Sequence, residues 1–135
     1  MIFNYIPVLR SGASCRFPFV NLDVINSENG RLKNVFALVD SGSESNIFRM
    51  DVAEELGLDV SSGEKVVFGG YGSGKIDGML LPVDMQLWLG NTPHRWKAEV
   101  IFSDAAKERQ VLGQEGFFDQ FEITFRRKSA EFEIS

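Results

Sequence analysis

Val35-Phe36-Ala37-Leu38-Val39-Asp40-Ser41-Gly42 joins a run of five apolar residues to an acid and two turn formers, and the reading of this junction decides the fold. The apolar run has the length and composition of a buried strand. A carboxylate leaving such a strand into a Ser-Gly turn is held in one place, partly desolvated, with backbone N–H groups close enough to hydrogen-bond it. Catalytic carboxylates are presented this way. The tripeptide by itself also fits an ordinary surface turn, because all three residues favour turns. Its flanks therefore carry the decision.

Upstream, Phe17-Pro18-Phe19-Val20-Asn21-Leu22-Asp23-Val24 is rich in β-formers, and Asn26-Ser27-Glu28-Asn29-Gly30 is a turn cluster leading to a second strand over residues 32–39. The pair predicts a hairpin that delivers Asp40. Downstream, Phe48, Val52 and Leu56 recur at four-residue spacing with Ala53 beside them and Gly57 behind, which predicts a short helix over residues 49–56. Strands are expected at residues 64–68, 76–89 (interrupted near Gly78 and Pro82), 96–102 and 111–112. A turn is expected at Asn91-Thr92-Pro93-His94 and a charged loop over residues 103–110. Residues 114–120 fit one or two helical turns, while residues 121–125 and 130–134 alternate with period two around Arg126-Arg127-Lys128. No repeat or linker interrupts the pattern, so residues 1–135 are expected to form one mostly-β domain.

Composition narrows the function. A net charge of -5 argues against a nucleic-acid partner, which needs a concentrated basic surface, and Arg126-Arg127-Lys128 reads as a solvated turn between strands. The lone Cys15 and the lone His94 leave no zinc ligand set and no internal disulfide, and neither sits in a nucleophile context. They read as a buried thiol and a surface turn histidine. No stretch is long enough to span a membrane and no signal peptide is visible, so no membrane partner and a cytoplasmic location are expected.

Gly69-Gly70-Tyr71-Gly72-Ser73-Gly74-Lys75 follows a strand and meets most of the phosphate-loop pattern. Two things fail. Ile76 stands where a hydroxyl would hold magnesium, and Asp77-Gly78-Met79-Leu80-Leu81-Pro82 is a poor helix start, so the supporting helix N-terminus is missing. A strand, a glycine-rich tip and a returning strand predict a mobile hairpin instead.

Ala37-Leu38-Val39-Asp40-Ser41-Gly42-Ser43-Glu44-Ser45-Asn46-Ile47 resembles the active-site segment of the retropepsin-like aspartic proteases, and Glu55-Leu56-Gly57-Leu58 resembles the helix end of their cellular and bacterial members. Val111-Leu112-Gly113 is similar to that family's second signature, two apolar residues and a glycine passing beneath the catalytic loop. The glycine-rich hairpin lies between the two, where the family keeps its flap. The resemblance covers nearly the whole chain. It implies a mostly-β, single-lobe retropepsin-like acid protease fold: closed barrel-like sheets, a flap hairpin and one or two short helices, working as a homodimer.

What the resemblance implies chemically is an aspartic endopeptidase that hydrolyses a peptide or protein with water and no cofactor. Aspartic proteolysis needs two carboxylates a few ångströms apart sharing one proton. With one Asp-Ser-Gly in the chain, the second must be Asp40 of another copy. Ser41, Gly42 and Ser43 form the active-site loop, Ser41 bonding across the dimer and Gly42 leaving room for substrate. Phe68, Gly69, Gly70, Tyr71 and Gly72 belong to the flap, and Val111, Leu112 and Gly113 to the supporting loop. The chain ends are expected to build the dimer sheet through residues 2–6 and 132–134. Gln114 stands where retroviral members usually carry arginine, which removes an ion pair across the dimer. Glu44 adds an acid beside the dyad that would push the upper limit of activity toward neutral pH and disfavour acidic substrates. A retropepsin-like module that binds peptide or assembles without turnover is the alternative class.

Overall fold

The structure is a computed structural model and describes residues 1–10, 12–69, 75–106 and 109–135. The hairpin expected ahead of Asp40 is present. Strand β4 (Phe19–Ile25) pairs antiparallel with β5 (Leu32–Val39) from Phe19 opposite Leu38 to Ile25 opposite Leu32. Ahead of it lie β1 (Ile2–Asn4), β2 (Ile6–Arg10) and β3 (Ala13–Phe17). Pro18 lies between β3 and β4, so the single strand expected from Phe17 starts instead at Phe19. Its carbonyl accepts the Val39 N–H at 2.8 Å.

Beyond Asp40 come β6 (Asn46–Arg49) and helix α1 (Met50–Glu55). Val52, Ala53 and Leu56 are buried, and Gly57 ends the helix at φ +69°, as the spacing predicts. The side chains of Asn26 and Asn29 both donate to the Leu56 carbonyl at 3.0 Å, binding the helix end to the β4–β5 turn. Then follow β7 (Glu64–Phe68), β8 (Ile76–Leu89), β9 (Thr92–Ser103), β10 (Val111–Leu112), β11 (Ile123–Arg126) and β12 (Glu131–Ile134).

Strands β4, β5, β10, β6, β9 and β8 are hydrogen-bonded in that order, and β8 returns to β4, closing a six-stranded barrel. Two of the joins are parallel, β5 with β10 and β6 with β9. Closure leaves none of the six as a continuous open edge. The long β8 achieves this by dividing its length, pairing with β7 through residues 76–80 and with β4 through residues 84–86. It runs unbroken past Gly78 and Pro82, contrary to the interruption expected there. Leu81, Val83, Met85 and Leu87 alternate inward, in contact with Val24, Val35, Phe48 and Phe102 in the main core. A second apolar cluster, including Phe19, Leu38, Ile47, Ile101 and Val111, lies on the Asp40 side, and the β2–β3 hairpin packs on it through Ile6, Val8 and Phe17.

Two expected elements differ. The turn before β9 is Gly90-Asn91, with Leu89 opposite Thr92 and Gly90 at φ +65° in the first central position of a two-residue hairpin loop. His94 therefore lies in a strand, opposite Leu87, with its ring edge-on to Phe121. Residues 114–120 are not a regular helix. Glu115 is extended and Gly116 sits at φ +98°. The reason is competition for carbonyls: Asn46 takes that of Glu115 at 3.2 Å, and the Trp96 indole takes that of Gly116 at 2.6 Å. The fully buried Phe117 anchors this wound loop, a burial contributing roughly 1.5–3 kcal/mol.

The chain ends pair with each other. Strands β1, β12 and β11 form a three-stranded sheet within one chain, Phe3 opposite Phe132 and Phe132 opposite Phe125. The strands expected to pair between copies are thus already joined inside the protomer.

Candidate active site

Asp40 is half-buried and tied at both ends of its peptide unit. Its N–H donates to the Leu112 carbonyl at 3.0 Å and its carbonyl accepts the Ser43 N–H at 3.1 Å, closing the turn. The Gly42 N–H donates to the carboxylate Oδ1 at 2.9 Å. A hydrogen bond of this kind orients the carboxylate. A Cβ on Gly42 would lie 3.3 Å from that same oxygen, so glycine gives the carboxylate its room. The Ser43 hydroxyl donates to the Ser45 carbonyl at 2.7 Å, stiffening the far side of the loop. The Ser41 hydroxyl makes no hydrogen bond among the described residues.

Val111, Leu112 and Gly113 pass under this turn, all three buried. β10 inserts between β5 and β6, so Leu112 lies beside Val39 at the point where β5 gives way to Asp40. At Gly113 the backbones come so close that a Cβ would sit 2.5 Å from the Ser45 carbonyl and 2.7 Å from that of Ser43. Only glycine permits this approach. Next, the Gln114 N–H donates to Ser43 at 2.8 Å and the Glu115 N–H to Glu44 at 2.9 Å. The Gln114 side chain reaches the Ser41 carbonyl at 2.7 Å, so where an arginine was expected in relatives, this residue secures the turn from within its own chain.

Asn46 entered the sequence reading only as part of the segment over residues 37–47, with no role of its own. It is fully buried at the start of β6, where its Oδ1 accepts the Gly113 N–H at 2.9 Å and its Nδ2 donates to Glu99 at 3.3 Å and Glu115 at 3.2 Å. The available signal was a poor strand former immediately ahead of Ile47-Phe48.

A cleft of about 550 Å³ opens between the Asp40 turn and β7. Asp40, Gly42, Ser43 and Glu44 line one side, Val67, Phe68 and Gly69 another, and Ile47 and Ile101 give it an apolar floor. Among the described residues, Asp40 and Glu44 are its ionisable lining groups, so that part of the lining is acidic above an apolar floor. Phe68 pairs with Ile76, the end of the antiparallel pairing of β7 with β8 beside the cleft. Gly70, Tyr71 and Gly72 lie outside the described residues. Lys75 leads into strand β8 and not into a helix, so the helix N-terminus that a phosphate loop requires is absent there.

The other reactive candidates lie apart. Cys15 is half-buried in β3 opposite Val8, and His94 is in β9, so the two belong to different sheets. Among the described residues no group of three or more His, Cys, Asp or Glu side chains is placed to hold a metal ion, and no helix is long and apolar enough to cross a membrane.

The aspartyl protease family profile matches residues 23–115, which runs from β4 through Asp40 to the Gly113 loop. Among solved structures, the chain is similar to a retropepsin-like aspartic protease from Rickettsia conorii, with a TM-score of 0.60 and 14% identity over 99% of this chain and 88% of that one. No curated protein sequence matches the chain. The fold is retropepsin-like, and with its profile match spanning both the Asp-Ser-Gly turn and the loop beneath it, the chain belongs to the aspartyl protease family.

Proposed function

We propose that the protein is an aspartic endopeptidase whose active form is a symmetric pair, each copy supplying one Asp40. The observation that carries this reading is the Asp40 carboxylate itself, oriented by the Gly42 N–H and lining a cleft with an apolar floor. Two such carboxylates facing each other cannot both ionise, and so they share one proton. The ionised member takes a proton from a bound water as the water oxygen attacks the scissile carbonyl carbon. The protonated member donates to the carbonyl oxygen, and the tetrahedral intermediate collapses as a proton passes to the departing amine. Ile47, Ile101 and Phe68 receive an apolar side chain next to the scissile bond. The β7–β8 hairpin closes over the peptide and excludes water. The Ser41 hydroxyl is available to bond across the pair.

A peptide-library cleavage assay from acid to neutral pH, run on the wild type and on Asp40→Asn, tests this. The wild type should cleave and the variant should lose about 10³-fold or more of the rate. Equal cleavage by both would remove Asp40 from the mechanism. Saturable peptide binding without cleavage by either would place the chain among peptide-binding or assembly modules.

A further inference from the structure

We infer that Asn46 is a positioning residue for Asp40, acting through the shelf formed by residues 112–115. This rests on the protease reading for its kinetic consequence only. The shelf carries the turn through three main-chain bonds: Asp40 N–H to Leu112, Gln114 N–H to Ser43 and Glu115 N–H to Glu44. Each is as well placed as the shelf itself. Beyond Leu112, the last residue of β10, the shelf has no regular structure of its own, since Glu115 is extended and Gly116, just past it, adopts φ +98°. Its place is set from below by the Asn46 carboxamide, which joins Gly113, Glu115 and the β9 carbonyl of Glu99.

The fit around Asn46 is tight and complete. Both protons of its amide and its oxygen are engaged, the residue is fully buried, and a Cβ on Gly116 would collide with its Nδ2. A carboxamide is the side chain that offers two donors and an acceptor at this length. Aspartate has the same shape and still accepts from Gly113, yet it loses both donated bonds and turns a carboxylate toward two carbonyls. The shelf should then detach from β9 and carry the Asp40 turn with it, and a displacement of about 1 Å at a reacting group is enough to cost roughly 10²-fold in rate.

A purely structural role for a buried asparagine is the competing account, and the molecule holds its own control. Asn26 is also buried and holds the Leu56 carbonyl at the helix end, while lining no part of the Asp40 cleft. The experiment compares Asn46→Asp, the milder Asn46→Ser, which introduces no buried charge and serves if the aspartate variant does not fold, and Asn26→Ala. Amide hydrogen exchange is measured in all, together with kcat and KM on a cleaved library peptide. In the Asn46 variants the Asp40, Gln114 and Glu115 amides should exchange about tenfold faster or more, with kcat down about 10- to 100-fold and KM within about threefold of wild type. In Asn26→Ala these three amides and kcat should match the wild type. Unchanged protection of the three amides in the Asn46 variants would overturn the inference, as would a kcat loss no larger than that of Asn26→Ala. A wild type that cleaves no peptide would sink the protease reading, and the exchange comparison would still decide whether Asn46 holds the turn.

Discussion

Gly113 has so little room beneath the Asp40 turn that one methyl group tests the whole arrangement. An alanine Cβ would press on the Ser43 and Ser45 carbonyls, and both are already committed, the first to the Gln114 N–H and the second to the Ser43 hydroxyl. Overpacking against backbone that cannot retreat should cost Gly113→Ala about 1–3 kcal/mol in urea denaturation, and should lower cleavage more steeply than stability because the displaced atoms adjoin Asp40. A destabilisation smaller than about 0.5 kcal/mol would show that the turn yields easily. Asp40, Ser41, Gly42 and Gly113 were legible in the sequence because each lies in a short contiguous pattern. Asn46 was not, because its partners are 53, 67 and 69 positions away, and an asparagine after Glu44-Ser45 reads locally as one more turn residue.

Among the elements, the three-stranded sheet carries a charge pair with a defined pH response. The Arg126 guanidinium donates to Glu133 at 2.8 Å across β11 and β12, and this bond, reinforced by the charge of Arg126, holds the Glu133 carboxyl below its ordinary 4.5. A depressed folded-state value contributes stability above the unfolded-state value and loses it as pH falls through the folded one. Melting temperature should therefore drop as pH goes below about 4.5, less so in Glu133→Gln, and the difference should shrink at high salt because the pair is exposed. Identical acid profiles for the two proteins would dismiss the pair. The β7–β8 hairpin makes a separate prediction. Lys75→Ala should leave peptide cleavage within about twofold of wild type, ATP and GTP should give no saturable heat of binding, and a peptide analogue with a hydroxyl at the scissile position should protect the Phe68 and Ile76 amides. Nucleotide binding lost in Lys75→Ala would reverse the reading of that loop. Periodicity made the β4–β5 hairpin, α1 and the β7–β8 pair readable in advance. It failed for residues 114–118, where helix-compatible residues are unwound by Asn46 and Trp96, and at Thr92-Pro93-His94, where proline suggested a turn but opens a strand.

At the scale of the molecule, the proposed mechanism takes one Asp-Ser-Gly from each of two copies. Sedimentation at concentrations where peptide is cleaved should show a dimer, and activity should rise with a bell-shaped pH dependence belonging to the pair of carboxylates. An active monomer would refute the shared dyad. The pairing of β1 with β12 inside one chain could not be read from the sequence, since strand partners distant in sequence leave no local mark on either. The chain ends lie side by side: the Met1 ammonium donates to the Ile134 carbonyl at 2.8 Å and the Ile134 N–H returns a bond to the Met1 carbonyl at 2.9 Å. A polypeptide whose first and last residues already meet can be made into a ring. Joining Ser135 to Met1 through a few glycines and reopening the backbone at Gly90-Asn91 would yield a permuted protein with its barrel order intact and its new ends at an exposed hairpin tip. In that permutant the sheet of β1, β12 and β11 could no longer fray from a free end.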